Sequence, residues 1–279
     1  MSRFADLHIH THFSDSSSSP QEVVGEAIGA GLYCIAITDH DTIDGVIPAQ
    51  RAAEGHDLEV IPGIELSSEF SQKDIHILGY FVDCDDPALR QKLDEIQESR
   101  ITRMKGMIQK LKEQGIHNIE FEDVMSRTEA KSVGRPHLAT VLFEKGWVGS
   151  LREAFDKFIG EECSAYVGKY KQTPYAAIDV IRKAGGISVL AHPMITQKDE
   201  LIPSLVDAGL QGIEVYYPNY SNNSTSFYEG LAKKYNLVTT GGSDAHGKAR
   251  PGTFIGKKKI PYAIVEQLKR LKEANAKSL

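Results

Sequence analysis

The chain has 279 residues, enough to bury a sizeable core as one barrel-sized domain, or a barrel with a smaller insert, without help from disulfides. Its 38 acidic residues outnumber 32 Lys and Arg, for a net charge of -6, which argues against strong nonspecific binding to long nucleic acid, where many cations must neutralise phosphates. No run approaches 18 apolar residues, so no membrane span is expected. The opening Met-Ser-Arg-Phe-Ala-Asp-Leu-His carries no apolar leader, and Cys34, Cys84 and Cys163 lack C-x-x-C spacing, which fits a reducing cytoplasm.

Short apolar runs alternate with amphipathic stretches from the start. Phe4 to Ile9 reads as a strand, Pro20 to Ala30 as a helix that opens on Pro and stops at Gly31, and Tyr33 to Thr38 as a buried strand holding Cys34. A helix over about Ile43 to Gly55 and a strand from Leu58 to Ile61 lead into the Glu65 segment. This β-α-β order predicts a parallel sheet or barrel. Asp86 to Lys112 is a long charged stretch with apolar residues at roughly helical spacing, read as a helix with a solvated face. Helical segments at Phe121 to Arg127, Pro136 to Glu144 and Ser150 to Phe158 follow with no strand between them, so residues 84–166 are expected to form a helical insert. Alternation then returns: helix Pro174 to Ala184, strand Ile187 to Ala191, helix Leu201 to Ala208, strand Gly212 to Val215, helix Asn223 to Tyr235 and strand Leu237 to Thr240. A short strand near Thr253 to Ile255 and a helix from about Pro261 end the chain. The expected fold class is α/β, a parallel sheet or barrel formed by residues 1–83 and 167–279 and carrying the insert.

Histidines and carboxylates gather in short clusters at the expected ends of strands: His8-Ile-His10 with Asp15, Asp39-His40-Asp41, Glu65, His76, His192 and Asp244-Ala-His246. Residues at i and i+2 of a strand share a face, so His8 and His10 can grip one cation together. Functional groups of parallel α/β folds collect at the carboxyl edge, and several such groups converging there predict a multinuclear metal site suited to hydrolysis. Mixed His and carboxylate without Cys suits Zn, Mn or Fe.

The runs His8-x-His10-Thr11, Ser14-Asp15, Thr38-Asp39-His40-Asp41-Thr42, Pro62-Gly63-Ile64-Glu65, Leu190-Ala191-His192-Pro193 and Gly242-Ser243-Asp244-Ala245-His246 together resemble the polymerase and histidinol phosphatase (PHP) superfamily. The match runs in order over almost the whole chain. It implies a distorted (β/α)7 barrel with a site for two or three divalent metals. Carried over by resemblance, His8, His10, Glu65 and Asp244 would hold the first metal; Glu65 would bridge to a second held by His76 and His192; Asp15, His40 and His246 would hold a third. Asp15 stands where some members have histidine, which favours Mn or Fe over Zn. Ser14-Asp15-Ser16-Ser17 before Pro20, the run Ile35 to Thr42, and Gly134-Arg135-Pro136-His137 resemble the stand-alone phosphoesterase branch, whose members are similar to enzymes removing the 3′-phosphate of nucleoside 3′,5′-bisphosphates and to 5′-end exonucleases of short RNA. The resemblance therefore implies a cytoplasmic phosphatase of a small phosphorylated nucleotide or short oligonucleotide. Histidinol-phosphate phosphatase is the rival activity, and a non-catalytic metal-binding scaffold the rival class; the latter calls for degenerate ligands, and none of the nine is missing.

Arg135 and His137 open a helix, where free backbone N–H groups favour an anion. The resemblance implies a catalytic phosphate clamp; a salt bridge plus a satisfied histidine is the plainer alternative. Lys169, Lys171 and Arg250 are weaker candidates for a second phosphate. His12 lies past the strand end and is left out, and His56 and His117 are expected at the surface. Asp39 and Asp41 could orient ligands from behind, with Asp41 equally suited to cap the next helix.

Overall fold

The computed structural model describes residues 3–71, 73–127, 132–168 and 172–277. Strands β1 (Phe4–Ile9), β2 (Cys34–Ile37), β3 (Glu59–Phe70), β4 (Lys73–Tyr80), β5 (Ile187–Leu190), β6 (Gly212–Tyr216), β7 (Val238–Gly241) and β8 (Ile260–Pro261) form one sheet in the order β7-β6-β5-β4-β3-β2-β1-β8. The sheet curls into a barrel that closes just beyond β7. There the amide of Asp244 donates to the His8 carbonyl at 2.8 Å, and the amide of His10 donates to the Ala245 carbonyl at 3.1 Å. Gly242 makes this seam possible, because a Cβ there would meet the His8 nitrogen at 2.4 Å. The carboxylate of Asp6 stitches the same seam, accepting from the amides of Ser243 and Gly256, each at 2.8 Å.

Local sequence explains the helices that wrap the sheet. Ser19 and Glu22 form a reciprocal capping box ahead of Pro20, and Asp86 and Thr173 cap the helices Pro87–Glu113 and Pro174–Lys183, each of which also opens on Pro. One apolar cluster joins strand residues such as Ile35, Ile64 and Ile213 to Val23, Ala49, Ile178 and Ile181 of the surrounding helices. Another joins Leu7, Ala36, Leu78 and Val189 to Ile264, Val265 and Leu268 of the C-terminal helix Tyr262–Ala276.

Three departures from the sequence reading concern the sheet. The uniform parallel order fails between β3 and β5, where β4 pairs antiparallel with both neighbours. The third strand does not stop at Ile61 but runs on past Glu65 to Phe70. Its polar residues Ser67, Ser68 and Glu69 break the apolar pattern that marks a buried strand. The expected strand at Thr253 to Ile255 is absent; the final strand is Ile260–Pro261, antiparallel to the start of β1.

Between β4 and β5 lie the helices Pro87–Glu113, Phe121–Met125, Arg135–Glu144 and Leu151–Ala154, with a π turn over Phe155–Ile159. Met104, Met107, Leu111, Ile119, Leu138, Leu142 and Ile159 build a core of their own there. The first of these helices serves both bodies: Leu89, Leu93 and Ile96 pack in the barrel cluster, and Met104, Met107, Ile108 and Leu111 in the helical one.

Candidate metal centre

At the barrel mouth the His8–His10 pair meets Glu65 from the middle of β3. One oxygen of Glu65, Oε2, lies 3.3 Å from His8 Nε2 and 3.2 Å from both His10 Nε2 and His40 Nδ1. Its other oxygen lies 2.9 Å from His76 Nδ1 and 3.0 Å from His192 Nε2. Asp244 Oδ1 approaches His8 Nε2 at 3.4 Å and His10 Nε2 at 3.2 Å, and His246 Nε2 lies 3.2 Å from Asp15 Oδ1. Three groups have donor atoms all within 4.8 Å of one another: His10, Asp15, His40 and His246; His8, His10 and Glu65; and His40, Glu65 and His76. His10, His40 and Glu65 are shared between groups.

The donor chemistry fits cations. His10 Nδ1 and Nε2, Asp15 Oδ1, His40 Nδ1, His76 Nε2 and His192 Nδ1 are buried and lack hydrogen-bond partners among the described residues, although carboxylate oxygens stand close to several of them. Leaving so many polar atoms without partners would be costly unless a positive ion completes their coordination. Burial alone would raise the carboxyl of Glu65, but the imidazoles of His40, His8 and His76 outweigh it and hold the group well below its usual range. The same competition keeps Asp244 ionised, against burial, beside His8 and His246. Burial draws His40 down to about 3, leaving the neutral imidazole that a metal requires.

A ring of supporting groups fixes these donors. Glu214, fully buried on β6, lies 3.0 Å from His8 Nδ1 and accepts the amide of His192 at 2.8 Å. Tyr217 donates to Asp244 Oδ2 at 2.6 Å. Asp39 accepts from the amide and hydroxyl of Thr11 and from the Ser14 hydroxyl, at 2.7, 2.6 and 2.5 Å, which pins the loop that carries Asp15. Asp41 is not a helix cap, since the next helix begins at Val46 behind Gly45; it binds the Ser67 amide and the guanidinium of Arg100. Asp41, His192 and Asp244 all adopt positive φ, 53°, 28° and 50°, a strain of about 1–3 kcal/mol each that the surrounding contacts hold in place. Sequence reasoning missed Glu214, Tyr217 and Arg100. An acid inside the apolar run Gly-Ile-Glu-Val-Tyr was the available signal for the first.

The remaining candidates divide. His12 is half-buried in the turn after β1, and His56 and His117 are exposed. His137 is buried; its Nδ1 accepts the Gly134 amide at 3.0 Å, and burial lowers its pKa. Arg135 reaches toward Asp74 at 3.5 Å, Glu161 at 3.9 Å and the Ile159 carbonyl. Arg250 bonds Asp244 Oδ2 at 2.5 Å. Lys169 and Lys171 lie outside the described residues. The Pro87–Glu113 helix does not present only a solvated face: Gln97 donates to the Asp41 carbonyl, Arg100 binds Asp41, and Arg103 is buried.

Two cavities open on the donor set. One of about 470 Å³ is floored by Glu65, His76, His192 and Asp244 and walled by Leu151, Phe155, Ile195 and Arg250. A second, of about 160 Å³, shares Asp15, His40 and His76 with it and runs under Arg100, Arg103 and Arg135.

Residues 6–82 match the PHP domain family. The chain is 31% identical over 257 residues to a 3′,5′-nucleoside bisphosphate phosphatase of Chromobacterium violaceum, covering 90% of each protein. It is equally identical over 275 residues to the 5′-3′ exoribonuclease Rnm of Escherichia coli, covering 96% of this chain and 93% of the relative. A crystal structure from Bifidobacterium adolescentis, described as a metal-dependent phosphoesterase, superposes with a TM-score of 0.86 at 27% identity, over 95% of this chain and 94% of that one. Relatives of this identity and coverage, with the matched domain lying over the cluster that bears His8 to His76, establish that the chain belongs to the polymerase and histidinol phosphatase (PHP) superfamily.

Proposed function

We propose that the protein is a metal-dependent phosphoesterase that removes the 3′-phosphate of a nucleoside 3′,5′-bisphosphate and trims short 5′-phosphorylated RNA from its 5′ end. One observation carries this reading above all: the large cavity sets a floor of imidazoles and carboxylates against an apolar wall of Leu151, Phe155 and Ile195, so a phosphate can meet the donors while a base packs on the wall. The names of the two relatives support the same substrate class.

The donor set His8, His10, Asp15, His40, Glu65, His76, His192, Asp244 and His246 would hold two or three divalent ions, with Mn favoured by the carboxylate content and Fe or Zn as alternatives. Such ions, when bound, neutralise phosphoryl charge and acidify water near neutral pH. Glu65 divides its two oxygens between opposite sides of the cluster, which suits it to link two ions. Glu214 orients the His8 ring and the His192 backbone, and Arg135 binds phosphate through its planar guanidinium. His137 holds the Gly134 turn that presents Arg135. Water cleaves the ester P–O bond, giving inorganic phosphate and a free 3′-hydroxyl from the bisphosphate, or a 5′-nucleotide and a shortened 5′-phosphorylated RNA from the RNA. The helical segment 84–166 caps the mouth and reads the rest of the substrate. The three cysteines form no disulfide among the described residues, in keeping with a cytoplasmic site of action, and no described helix is long and apolar enough to cross a membrane.

Phosphate release by Mn-loaded protein from adenosine 3′,5′-bisphosphate, AMP and histidinol phosphate, beside mononucleotide release from a short 5′-phosphorylated RNA, tests the reading. The bisphosphate or RNA is expected to be preferred, and a chelator to abolish release. Preference for histidinol phosphate would overturn the substrate assignment, and activity that survives chelation would overturn the metal dependence.

A further inference from the structure

The turn that follows His192 has two duties. Its histidine joins the donor set on the floor of the larger cavity, and three residues on, the exposed Ile195 stands on that cavity's wall. The turn is short and strained: the helix Pro193–Thr196 is bounded by positive-φ backbone at His192, φ 28°, and Gln197, φ 53°. Such backbone persists at non-glycine residues only where neighbours over-determine it. The amides show which neighbours do so. That of His192 donates to Glu214 at 2.8 Å, that of Ile195 to the His192 carbonyl at 2.9 Å, and that of Gln197 to the Pro193 carbonyl at 2.9 Å. Pro193 has no N–H. The amide of Met194, a first-turn donor without an intrahelical acceptor, reaches outside the turn to the hydroxyl of Tyr220 at 2.9 Å. Tyr220 is itself clamped. Its ring lies 5.2 Å from that of Tyr217, which bonds Asp244, and 5.9 Å from that of Tyr228, which is buried in the barrel cluster.

We propose that Tyr220 is a positioning residue for nucleotide recognition: its hydroxyl fixes the His192 turn and so keeps Ile195 on the wall against which the base packs. The inference rests on the proposed nucleotide substrate and adds to it a residue that acts on the base through Ile195. The turn is held at two points. Glu214 on β6 holds it where it begins, and Tyr220, in the loop that follows the same strand, holds it at the second helical residue. With both contacts in place the wall is set before a ligand arrives. With the second removed, the ligand must order the turn itself, and apparent affinity falls with the fraction of molecules whose wall is in place.

Adenosine, which carries the base and no phosphate, is the probe. Its binding to the chelator-treated full chain, measured by calorimetry, should weaken roughly three- to tenfold in Tyr220→Phe, the span that the net worth of one hydrogen bond allows. Exchange of the Met194 amide, followed by NMR, should quicken in the same variant. With adenosine 3′,5′-bisphosphate and Mn-loaded protein, KM should rise by more than kcat falls, a split that general destabilisation would not produce. Ile195→Ala, at an exposed position, should also weaken adenosine, and Tyr220→Phe should then add less than it does in wild type. Unchanged adenosine affinity in Tyr220→Phe, or a fully additive loss in the double variant, overturns the proposal. If Tyr220→Phe does not fold, as judged by circular dichroism, unchanged affinity in Ile195→Ala overturns it. Failure of wild type to bind adenosine overturns it too, whereas the phosphoesterase reading is decided separately, by turnover of p-nitrophenyl phosphate.

Discussion

The barrel mouth and the helical segment above it are ordered by different forces. At the mouth, carboxylates and imidazoles crowd within 3–4 Å, buried and short of hydrogen-bond partners among the described residues, an arrangement able to hold cations. The helical segment orders itself by apolar burial around Met107, Leu138 and Leu142, and meets the mouth through polar contacts such as Arg100 to Asp41 and the Ser132 hydroxyl to the His40 carbonyl. The donor set and the helical core thus belong to bodies with separate apolar packing.

The largest test of that division is Glu65→Gln. It removes the charge that faces five imidazoles, and should lower kcat/KM for a phosphomonoester by roughly 10³-fold, in line with losing a central electrostatic element, while metal content per chain falls and the helical core stays folded. Turnover and metal content within a factor of a few of wild type would sink the metal-centre reading. Leu138→Ala cuts into the other body. It should cost about 2–5 kcal/mol in chemical denaturation with metal affinity unchanged by equilibrium dialysis; a parallel loss of metal would show that the two bodies are not separable. Glu214→Gln keeps the shape of a buried support and should weaken metal binding by roughly 10–100-fold, as for other groups behind a ligand. Wild-type affinity in this variant would make Glu214 a packing residue only.

The smallest effect is one of sign. In the chelated protein, burial works against protonation of His10, but Asp244 and Glu65 outweigh it and raise the group to about 10. The stabilisation is fully present below the unfolded value near 6.5 and is lost as pH rises toward about 10. The melting temperature of the chelated protein should therefore fall across that window, and Mn should oppose the fall, because deprotonated imidazole is the form that binds metal. A chelated protein that gains stability over the same window would contradict it.

The contrast also explains what can be read from sequence. The His8–His10 spacing and the Asp244-Ala-His246 run are local patterns at strand ends, so their convergence is legible from the chain alone. The β3–β4 ribbon is not, because Ser67, Ser68 and Lys73 give it no continuous apolar face. Glu214 hides inside a strand whose other residues are mostly buried, where only its oddity marks it. Arg100 and Arg103 read as solvated because helical periodicity shows that a face is polar, not which body that face meets. Only tertiary placement brings them over His40.

The helix that serves both bodies has a consequence for exchange between relatives. Leu89, Leu93 and Ile96 anchor its first half in the barrel, Met104, Met107 and Leu111 anchor its second half in the helical core, and Arg100 and Arg103 lie between them. A recombination joint placed near Gln97 would deliver a foreign roof together with its own arginines and leave the barrel's packing intact. A joint at the chain segment before Pro87 would instead split the barrel's apolar contacts. This one continuous helix thus marks a joint at which the helical core could be exchanged while the donor set stays in place.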